Sequence, residues 1–261
     1  MNLGIEGKSA LVLAAGGGLG RAIATTLAQE GARVAVTDID AEALRETVSQ
    51  IEQRGGQALG VPADMSKADE LLSVVSQTRD RYGPVDILIN NSGGPPPSPV
   101  SGIAPETWRT YFESMVLSLL TVTDLVLPDM RTRKWGRIVT STSSGVIAPI
   151  PNLGLSNALR STLLGWSKTL AREVAADNVT VNVVLPGRVA TQRIRQLDEA
   201  RAKRENTAVD RVVADSVSTI PVGRYGDPQE YADVVAFLAS ARASYVTGSV
   251  IRVDGGMLAN I

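Results

Sequence analysis

Short apolar segments alternate with amphipathic segments along almost the whole chain. The runs at 9–14 (SALVLA) and 33–37 (RVAVT) are typical of buried strands, and the segment 18–29 between them places its apolar residues on one helical face. Further strand-like runs lie at 85–89, 137–140, 179–184 and 249–253. Strands that alternate with helices favour a parallel sheet covered on both faces. We therefore expect an α/β fold with a doubly wound parallel β-sheet of the Rossmann type.

The alternation continues without a linker or a low-complexity tract, so we expect a single domain over residues 1–261. The least regular part is 188–219, which is rich in charge and follows a Pro-Gly turn. A charged excursion of this kind is typical of a surface segment that carries one or two helices. We expect 188–219 to form a mobile lid over a substrate.

The composition excludes several kinds of chemistry. The chain has no cysteine and no histidine, so it lacks thiolate nucleophiles and the commonest metal ligand, and we expect no metal site. The net charge of −1 provides no broad basic field for nucleic acid. No apolar run is expected to reach the length of a membrane span, and no secretory signal is apparent, so we expect a cytoplasmic protein without a membrane partner.

A glycine-rich turn follows the first strand and leads directly into a helix. The turn consists of Ala15, Gly16, Gly17, Gly18, Leu19 and Gly20. Glycines allow the backbone to approach a diphosphate, and the helix N-terminus supplies free N–H groups and the positive end of a dipole. The strand–turn–helix context predicts a dinucleotide site, and a tight turn without a ligand is the alternative.

An acidic residue ends the second strand. Asp38 lies eighteen residues after Gly20, close to the spacing at which an acid binds the adenosine ribose hydroxyls. A 2′-phosphate at about 4 Å from this carboxylate would be repelled by about 4 kcal/mol per charge pair at an effective dielectric of 20. We therefore expect NAD rather than NADP as cofactor. Alternatively, Asp38 belongs only to the turn before the next helix, and Arg21 could bind a phosphate, although we expect it to be solvated.

Several further motifs occur in a fixed order. They are Ala63-Asp64, Asn90-Asn91-Ser92-Gly93, the run VNVVLPG at 181–187 with Thr191 beyond it, Tyr245-Val246-Thr247-Gly248 and Val253-Asp254-Gly255-Gly256. With them the chain resembles the short-chain dehydrogenase/reductases, particularly the 3-oxoacyl-acyl-carrier-protein-reductase-like members, over nearly its whole length. The resemblance implies an NAD(P)-dependent carbonyl/alcohol oxidoreductase. It also implies cofactor contacts from Ala63, Asp64, Met65, Asn91, Ser92, Gly93, Arg160, Pro186, Gly187, Val189 and Thr191.

The chain departs from this family at the residues that carry the chemistry. The first glycine of the family's turn falls on Ala14, where a positive φ would cost about 1–2 kcal/mol. The family's helix Asn falls on Met115. Its catalytic serine falls on Ser143, but its Tyr and Lys fall on Ser156 and Arg160. Of the four catalytic residues only the serine is kept.

Three functions are compatible with these replacements. In the first, Ser143, Ser156 and Arg160 polarise a carbonyl while water delivers the proton, since a serine is a far weaker acid than a phenol and arginine is no base near neutral pH. In the second, the scaffold performs non-redox chemistry, as a lyase or as the family's dehalogenase-like relatives do. In the third, it is a catalytically degenerate cofactor-binding protein. Tyr111, one turn before Met115, is a further candidate proton donor, although an aromatic residue on that face is more often part of the core.

The substrate pocket and the assembly are predicted more loosely. Three prolines at 95–97 form a stiff loop at the expected pocket edge. Arg188, Arg193 and Arg195 could hold an anionic group of a small carbonyl or alcohol substrate, and solvated charge is the alternative. The apolar stretches 108–130 and 156–174 correspond to helices that pair across a two-fold axis in the family. A homodimer or homotetramer is implied, and a deeper intramolecular core is the alternative.

Overall fold

The computed structural model describes all 261 residues and contains one seven-stranded sheet. Every neighbouring pair of strands is parallel, and the order across the sheet is β3-β2-β1-β4-β5-β6-β7. The strands are β1 Ser9–Val12, β2 Arg33–Asp38, β3 Gln57–Pro62, β4 Ile87–Asn90, β5 Gly136–Ser141, β6 Val179–Pro186 and β7 Val250–Val253. The doubly wound, Rossmann-type prediction is confirmed. The winding reverses between β1 and β4, which is where ligands bind in such sheets.

Nine α-helices cover the sheet. They are α1 Gly18–Gln29, α2 Ala41–Gln53, α3 Ala68–Tyr82, α4 Pro105–Phe112, α5 Ser118–Thr132, α6 Gly154–Val174, α7 Gln192–Glu205, α8 Val209–Ser218 and α9 Pro228–Leu238. The predicted lid, 188–219, contains α7 and α8, so its helical content is confirmed. Its mobility stays a prediction.

The core forms one layer on each face of the sheet because consecutive strand residues point to opposite faces. Along β1, Leu11 and the following Leu13 belong to the layer beneath α3, α5 and α6. Ala10 and Val12 belong to the layer beneath α1 and α9. Strands buried on both faces explain why the sequence shows continuous apolar runs rather than alternation.

The edge strand β3 was not among the predicted strands. In its sequence QALGVP only Val61 is buried, since β3 lies at the outer edge of the sheet and pairs only with β2. A strand that is mostly half-exposed lacks the apolar signal on which the other strands were predicted.

The helices α4 and α5 join into one long element through a π-turn, Glu113–Leu117. The prediction that no segment matches a membrane span is wrong by length and composition, because Pro105–Thr132 meets that criterion. The buried face of this element, including Met115, Leu119 and Val126, packs into the core of the domain. A core helix of a folded domain meets the same criterion, so the feature is weak support for a membrane role. Part of the apolar surface of 108–130 is therefore explained by the intramolecular core.

Candidate active site

A cavity of about 810 Å³ opens at the carboxyl ends of β1, β2, β4, β5 and β6. The structure brings most of the predicted site residues together around it. Those that line it are Gly17, Gly18, Leu19, Asp38, Asn91, Ser92, Gly93, Ser143, Ser156, Arg160, Pro186, Gly187, Val189 and Thr191. Parallel strands deliver all of these loops to one edge of the sheet, which is why residues far apart in sequence meet there.

The glycine-rich turn has the strained conformation that the family pattern suggested. Ala14 has a φ of +48° and Gly18 one of +53°. A Cβ at Gly20 would lie 2.3 Å from the carbonyl oxygen of Ala14, so that position requires glycine. Gly17 is exposed, precedes the first turn of α1, and has no heavy atom near its would-be Cβ. No side chain caps the N-terminus of α1, so its first N–H groups face open space of the kind a diphosphate fills.

Asp38 faces the cavity and also supports the turn. Its Oδ2 accepts a hydrogen bond from the Gly16 amide at 2.8 Å, and its Oδ1 accepts one from the Asp40 amide at 3.1 Å. Asp40 by itself caps α2, so the cap does not need Asp38. The expectation that Arg21 is solvated is wrong. Its guanidinium donates to the carbonyls of Gly16 and Ala43, to Thr47 and to Glu46, which leaves it committed within the protein.

Six predicted cofactor contacts lie outside the cavity. Ala15, Gly16 and Gly20 are buried beneath the turn, where the Ala15 amide donates to the carbonyl of Thr37. These three residues determine the shape of the turn and do not line the cavity. The other three are Ala63, Asp64 and Met65, which follow β3.

These three residues do not line the cavity, and their cofactor contacts stay predictions. Ala63 is buried, and Met65 packs against the core beneath α3. The Asp64 carboxylate accepts hydrogen bonds from the amide and hydroxyl of Ser66, and these bonds lower the pKa of Asp64. The carboxylate therefore faces its own turn.

The helix α6 carries two of the three predicted catalytic residues into the cavity. Ser156 and Arg160 are one helical turn apart, so both lie on the same face, and each is only 8% exposed. Ser143 follows β5, and its hydroxyl accepts a hydrogen bond from the Gly145 amide at 3.1 Å. All three line the cavity. Arg160 forms no ion pair on the helix surface, so its burial in the cavity is not explained by a salt bridge.

Arg160 is a buried cation whose hydrogen-bond partners are backbone carbonyl oxygens. Its Nη2 donates to the carbonyls of Ser92 at 3.2 Å and Gly93 at 2.8 Å, and its Nη1 makes a longer contact of 3.5 Å with that of Ser141. Burial, and secondarily the nearby charge of Arg193, lowers the pKa of Arg160 to about 10. Arg160 thus stays protonated at neutral pH and ties the ends of β4 and β5 together.

The three arginines predicted to hold an anion have different environments. Arg188 lines the cavity but forms a salt bridge of 2.6 Å to the buried Asp198, which also accepts a hydrogen bond from Tyr225. Arg193 lines the cavity, and its Nη2 donates to the carbonyl of Pro95 at 2.5 Å. Arg195 is exposed and does not line the cavity, because it lies on the outer face of α7. Only Arg193 combines access to the cavity with the lack of a carboxylate partner.

Two further predictions concern the helix beside the cavity. Met115 lies in the π-turn and is 2% exposed, so it belongs to the core and cannot replace the family's Asn. Tyr111 is half-buried, packs against the same core and does not line the cavity. The alternative that Tyr111 is a core aromatic therefore fits better than a role as proton donor.

Several cavity residues were missed by the sequence analysis. Ser141 is one of them, and its hydroxyl accepts a hydrogen bond of 2.8 Å from the fully buried Tyr231 on α9. Burial raises the pKa of Tyr231, so this phenol is a poor acid. An apolar wall was also missed, and it consists of Ile150, Leu153, Ile194, Leu197 and Met257. Ser141 could have been found by extending the fifth strand, whereas no local pattern marks the others.

Comparisons with known proteins agree with this geometry. Residues 13–258 match the family model described as enoyl-(acyl carrier protein) reductase. The 3-oxoacyl-[acyl-carrier-protein] reductase FabG of Escherichia coli is 36% identical, over 98% of this chain and 99% of that enzyme. Among solved structures, L-sorbose reductase of Gluconobacter frateurii, in complex with NADPH and L-sorbose, has a TM-score of 0.94 and 32% identity over the whole of both chains. The actinorhodin polyketide ketoreductase with NADPH has a TM-score of 0.92 and 32% identity, over 96% and 97% of the two chains.

The fold and the site thus define a dinucleotide-binding oxidoreductase domain. The chain belongs to the short-chain dehydrogenase/reductase family and resembles its 3-oxoacyl-acyl-carrier-protein-reductase-like members. Membership places it among enzymes that interconvert a carbonyl and an alcohol with a nicotinamide cofactor. The prediction of family and reaction type is confirmed.

Proposed function

We propose that this protein is an NAD-dependent carbonyl/alcohol oxidoreductase in which Ser143, Ser156 and Arg160 form the catalytic group. The main support for this proposal is one continuous cavity, with the glycine-rich turn and Asp38 at one end and these three residues at the other. The residues fit a dinucleotide: the space beside Gly17 suits a diphosphate, and the Asp38 carboxylate suits the ribose hydroxyls. When bound, the nicotinamide supplies or accepts the hydride.

The catalytic group acts on the carbonyl oxygen. The hydroxyls of Ser143 and Ser156 donate hydrogen bonds to it, and Arg160, which is largely buried, supplies a positive charge beside it. Preorganised donors of this kind stabilise the negative charge that develops on the oxygen as the hydride arrives at carbon. The proton for that oxygen comes from an acid in the solvent, hydronium or buffer, and is relayed through water in the cavity, because Ser156 is too weak an acid to replace the family's tyrosine and Arg160 stays protonated.

The preference for NAD rests on charge. The structural relatives named above contain NADPH, and their likeness favours NADP, against the prediction of NAD. In this chain the carboxylate of Asp38 faces the adenosine end of the cavity, and Arg21, which could have neutralised a 2′-phosphate, is bound to Gly16, Ala43 and Glu46. A 2′-phosphate would therefore meet a negative charge without a free cation close by. This supports NAD, and NADP is the weaker cofactor.

The proposal also includes closure of the lid and self-association of the protein. The lid, 188–219, closes over the substrate end, because α7 contributes several residues to the cavity wall. The apolar residues on α5 and α6 that stay half-exposed, among them Leu120, Leu125 and Trp166, pair with those of a second copy. A homodimer or a homotetramer follows, and sedimentation measurements distinguish these from a monomer.

The alternatives are non-redox chemistry and a degenerate cofactor-binding protein. The replacements Ser156 and Arg160 favour these alternatives, since the two residues cannot perform the proton transfer of the family's Tyr and Lys. The intact turn and Asp38 favour a bound dinucleotide, which a non-redox enzyme does not need. The buried, charged Arg160 in the cavity favours a catalytic role over degeneration, because an unneeded buried charge only destabilises the fold.

The experiment is turnover of NADH, followed by its absorbance, with a panel of ketones and oxo acids. We expect NADH oxidation by at least one substrate class, and Ser156→Ala should lower kcat by at least tenfold while NADH affinity stays within threefold. Ser161→Ala is the matched control, since Ser161 lies on the exposed side of the same helix and its hydroxyl bonds to the carbonyl of Asn157. Binding of NADH without any turnover would favour the degenerate protein, and no binding would remove the oxidoreductase assignment.

A further inference from the structure

Two arginine side chains converge at the substrate end of the cavity without a carboxylate partner. Arg160 is 92% buried, as its exposed fraction is 8%, and Arg193 on α7 is half-buried. Neither forms a salt bridge. Buried cations are normally paired, because removing a charge from water without a partner is unfavourable.

The two guanidinium groups both lie close to Gly94. A Cβ at Gly94 would lie 3.3 Å from Nη2 of Arg193 and 3.7 Å from Nη2 of Arg160. The two nitrogens are therefore no further apart than the sum of these distances, which is a span that one small anion can bridge. Like charges at this range repel each other, and burial together with this repulsion lowers the pKa of Arg160.

Both groups keep donors free for a ligand. A guanidinium has five N–H bonds, of which Arg160 uses three on backbone carbonyls and Arg193 uses one, on Pro95. The remaining N–H groups belong to side chains that line the cavity. Carboxylates accept such paired N–H donors in a planar geometry.

No acidic residue of the protein balances these charges in the cavity. Asp38 is the single acidic residue among those that line it, and it lies at the adenosine end beside Gly16. The third cavity arginine, Arg188, is already neutralised by Asp198. The compensating negative charge has to come from a bound molecule.

We propose that the substrate is a small oxo acid or hydroxy acid whose carboxylate is bound by Arg193 together with Arg160, which lies between this carboxylate and the reacting carbonyl oxygen and serves both. The apolar wall formed by Ile150, Leu153 and Leu197 encloses the rest of this small molecule. A planar carboxylate matches the paired N–H donors of a guanidinium, and phosphate, which arginine also binds, is separated from it by the binding measurement below. This inference rests on the proposed function and adds the substrate class to it.

The experiment compares an acid with its neutral ester. Acetoacetate and methyl acetoacetate present the same ketone to the enzyme and NADH, with and without the charge. We expect kcat/KM for the acid to exceed that for the ester by at least tenfold, and Arg193→Gln to bring the ratio close to one, chiefly by raising KM for the acid. Arg195→Gln, on the exposed face of the same helix, is the matched control and should keep the ratio.

A binding measurement keeps the two proposals separable. Malonate, a dicarboxylate without a carbonyl to reduce, should raise the melting temperature of the NAD complex of the wild type and of Arg195→Gln but not that of Arg193→Gln, and Arg193→Lys should restore part of the rise. If NAD binds and malonate has the same effect on all variants, the carboxylate site is wrong while the oxidoreductase stands. If Arg193→Gln instead weakens NAD itself by tenfold or more, Arg193 serves the cofactor diphosphate and the proposal is overturned. Tighter binding of inorganic phosphate than of malonate would also overturn it.

Discussion

The two ends of the cavity achieve recognition by different means. At the adenosine end, the turn around Gly17 and Gly20 offers backbone amides, and only Asp38 contributes a charged side chain. At the substrate end, recognition depends on side chains, above all Arg160, Arg193 and Ser156. The first end tolerates the change of a family glycine to Ala14, since the backbone path persists. The second end changes its chemistry when two side chains change.

The contrast explains how one fold keeps its cofactor geometry while its reaction chemistry varies. A backbone site is defined by φ and ψ angles, which the strand–turn–helix unit imposes, so most side chains can change without altering it. A side-chain site is defined by functional groups, so a single replacement alters its proton chemistry. If this contrast is correct, substitutions at the substrate end should affect turnover far more than those in the turn.

The largest effect is expected for Arg160→Gln. Loss of the positive charge beside the carbonyl oxygen should lower kcat by about 10²–10³-fold. The same change should stabilise the free protein by on the order of 2 kcal/mol, because burial holds the pKa of Arg160 near 10, below the usual range of a guanidinium. The measurements are steady-state kinetics and denaturant unfolding at pH 7.

The sign of the stability effect follows from proton linkage. The folded state holds the Arg160 proton more weakly than the unfolded state, so the penalty is present below about pH 10 and diminishes as pH rises from there toward the ordinary pKa of arginine. Arg172→Gln, on the exposed face of the same helix, should change neither kinetics nor stability appreciably. Equal kinetics for the wild type and Arg160→Gln would show that the substrate end is not the reaction centre.

The next largest effect concerns the adenosine end. Asp38→Asn removes the charge and keeps an oxygen that can accept from the Gly16 amide. We expect the ratio of NAD to NADP affinity to fall by about tenfold to a hundredfold, a fraction of the 4 kcal/mol repulsion at 4 Å, because the site is partly open to water. Titration of both cofactors by protein fluorescence measures it.

Asp40→Asn is the control, since Asp40 caps α2 and does not line the cavity. It should leave the cofactor ratio unchanged. A wild type that binds NADP as tightly as NAD would contradict the assignment of Asp38 to the ribose hydroxyls.

The fold could be predicted because its signal is local and repeated. Each buried strand appears as an apolar run, and the helix cap at Asp40 and the glycine turn mark element boundaries. The strand β3 escaped because an edge strand with one buried residue has no such run. In the long helix Pro105–Thr132 the apolar signal is strong but ambiguous. Its composition alone does not show whether the helix is buried in the core or lies in another apolar environment.

The site was predictable where a strand end or a motif marks it. Ser143, Ser156 and Arg160 were identified through the resemblance to the family, whose Ser, Tyr and Lys fall on these positions, and all three line the cavity. The partner of Arg188 and the burial of Tyr231 were not predictable, because both depend on which elements pack together rather than on neighbours in sequence. The contact of Asp64 with a cofactor stays a prediction, because its carboxylate accepts hydrogen bonds from Ser66 and does not line the cavity.

The smallest effect, Ala14→Gly, tests the backbone end most directly. Ala14 has a φ of +48°, a conformation that costs an L-residue about 1–2 kcal/mol and a glycine almost nothing. Glycine also gains freedom in the unfolded chain, which offsets about 0.4–1 kcal/mol of the benefit. We expect a net stabilisation of about 0.5–1 kcal/mol, visible as a rise of about 1–3 °C in the melting temperature.

Ala15→Gly is the control of opposite sign. Ala15 is fully buried and does not have a positive φ, so glycine there loses core packing and gains unfolded freedom, and the melting temperature should fall. A fall for both variants would show that the turn carries no strain at Ala14. A higher melting temperature for Ala14→Gly with unchanged NAD affinity would show that Ala14 adopts the backbone conformation of the cofactor turn although this conformation destabilises the protein. That result would support the view that the path of the backbone, and not the identity of its side chains, defines the adenosine end.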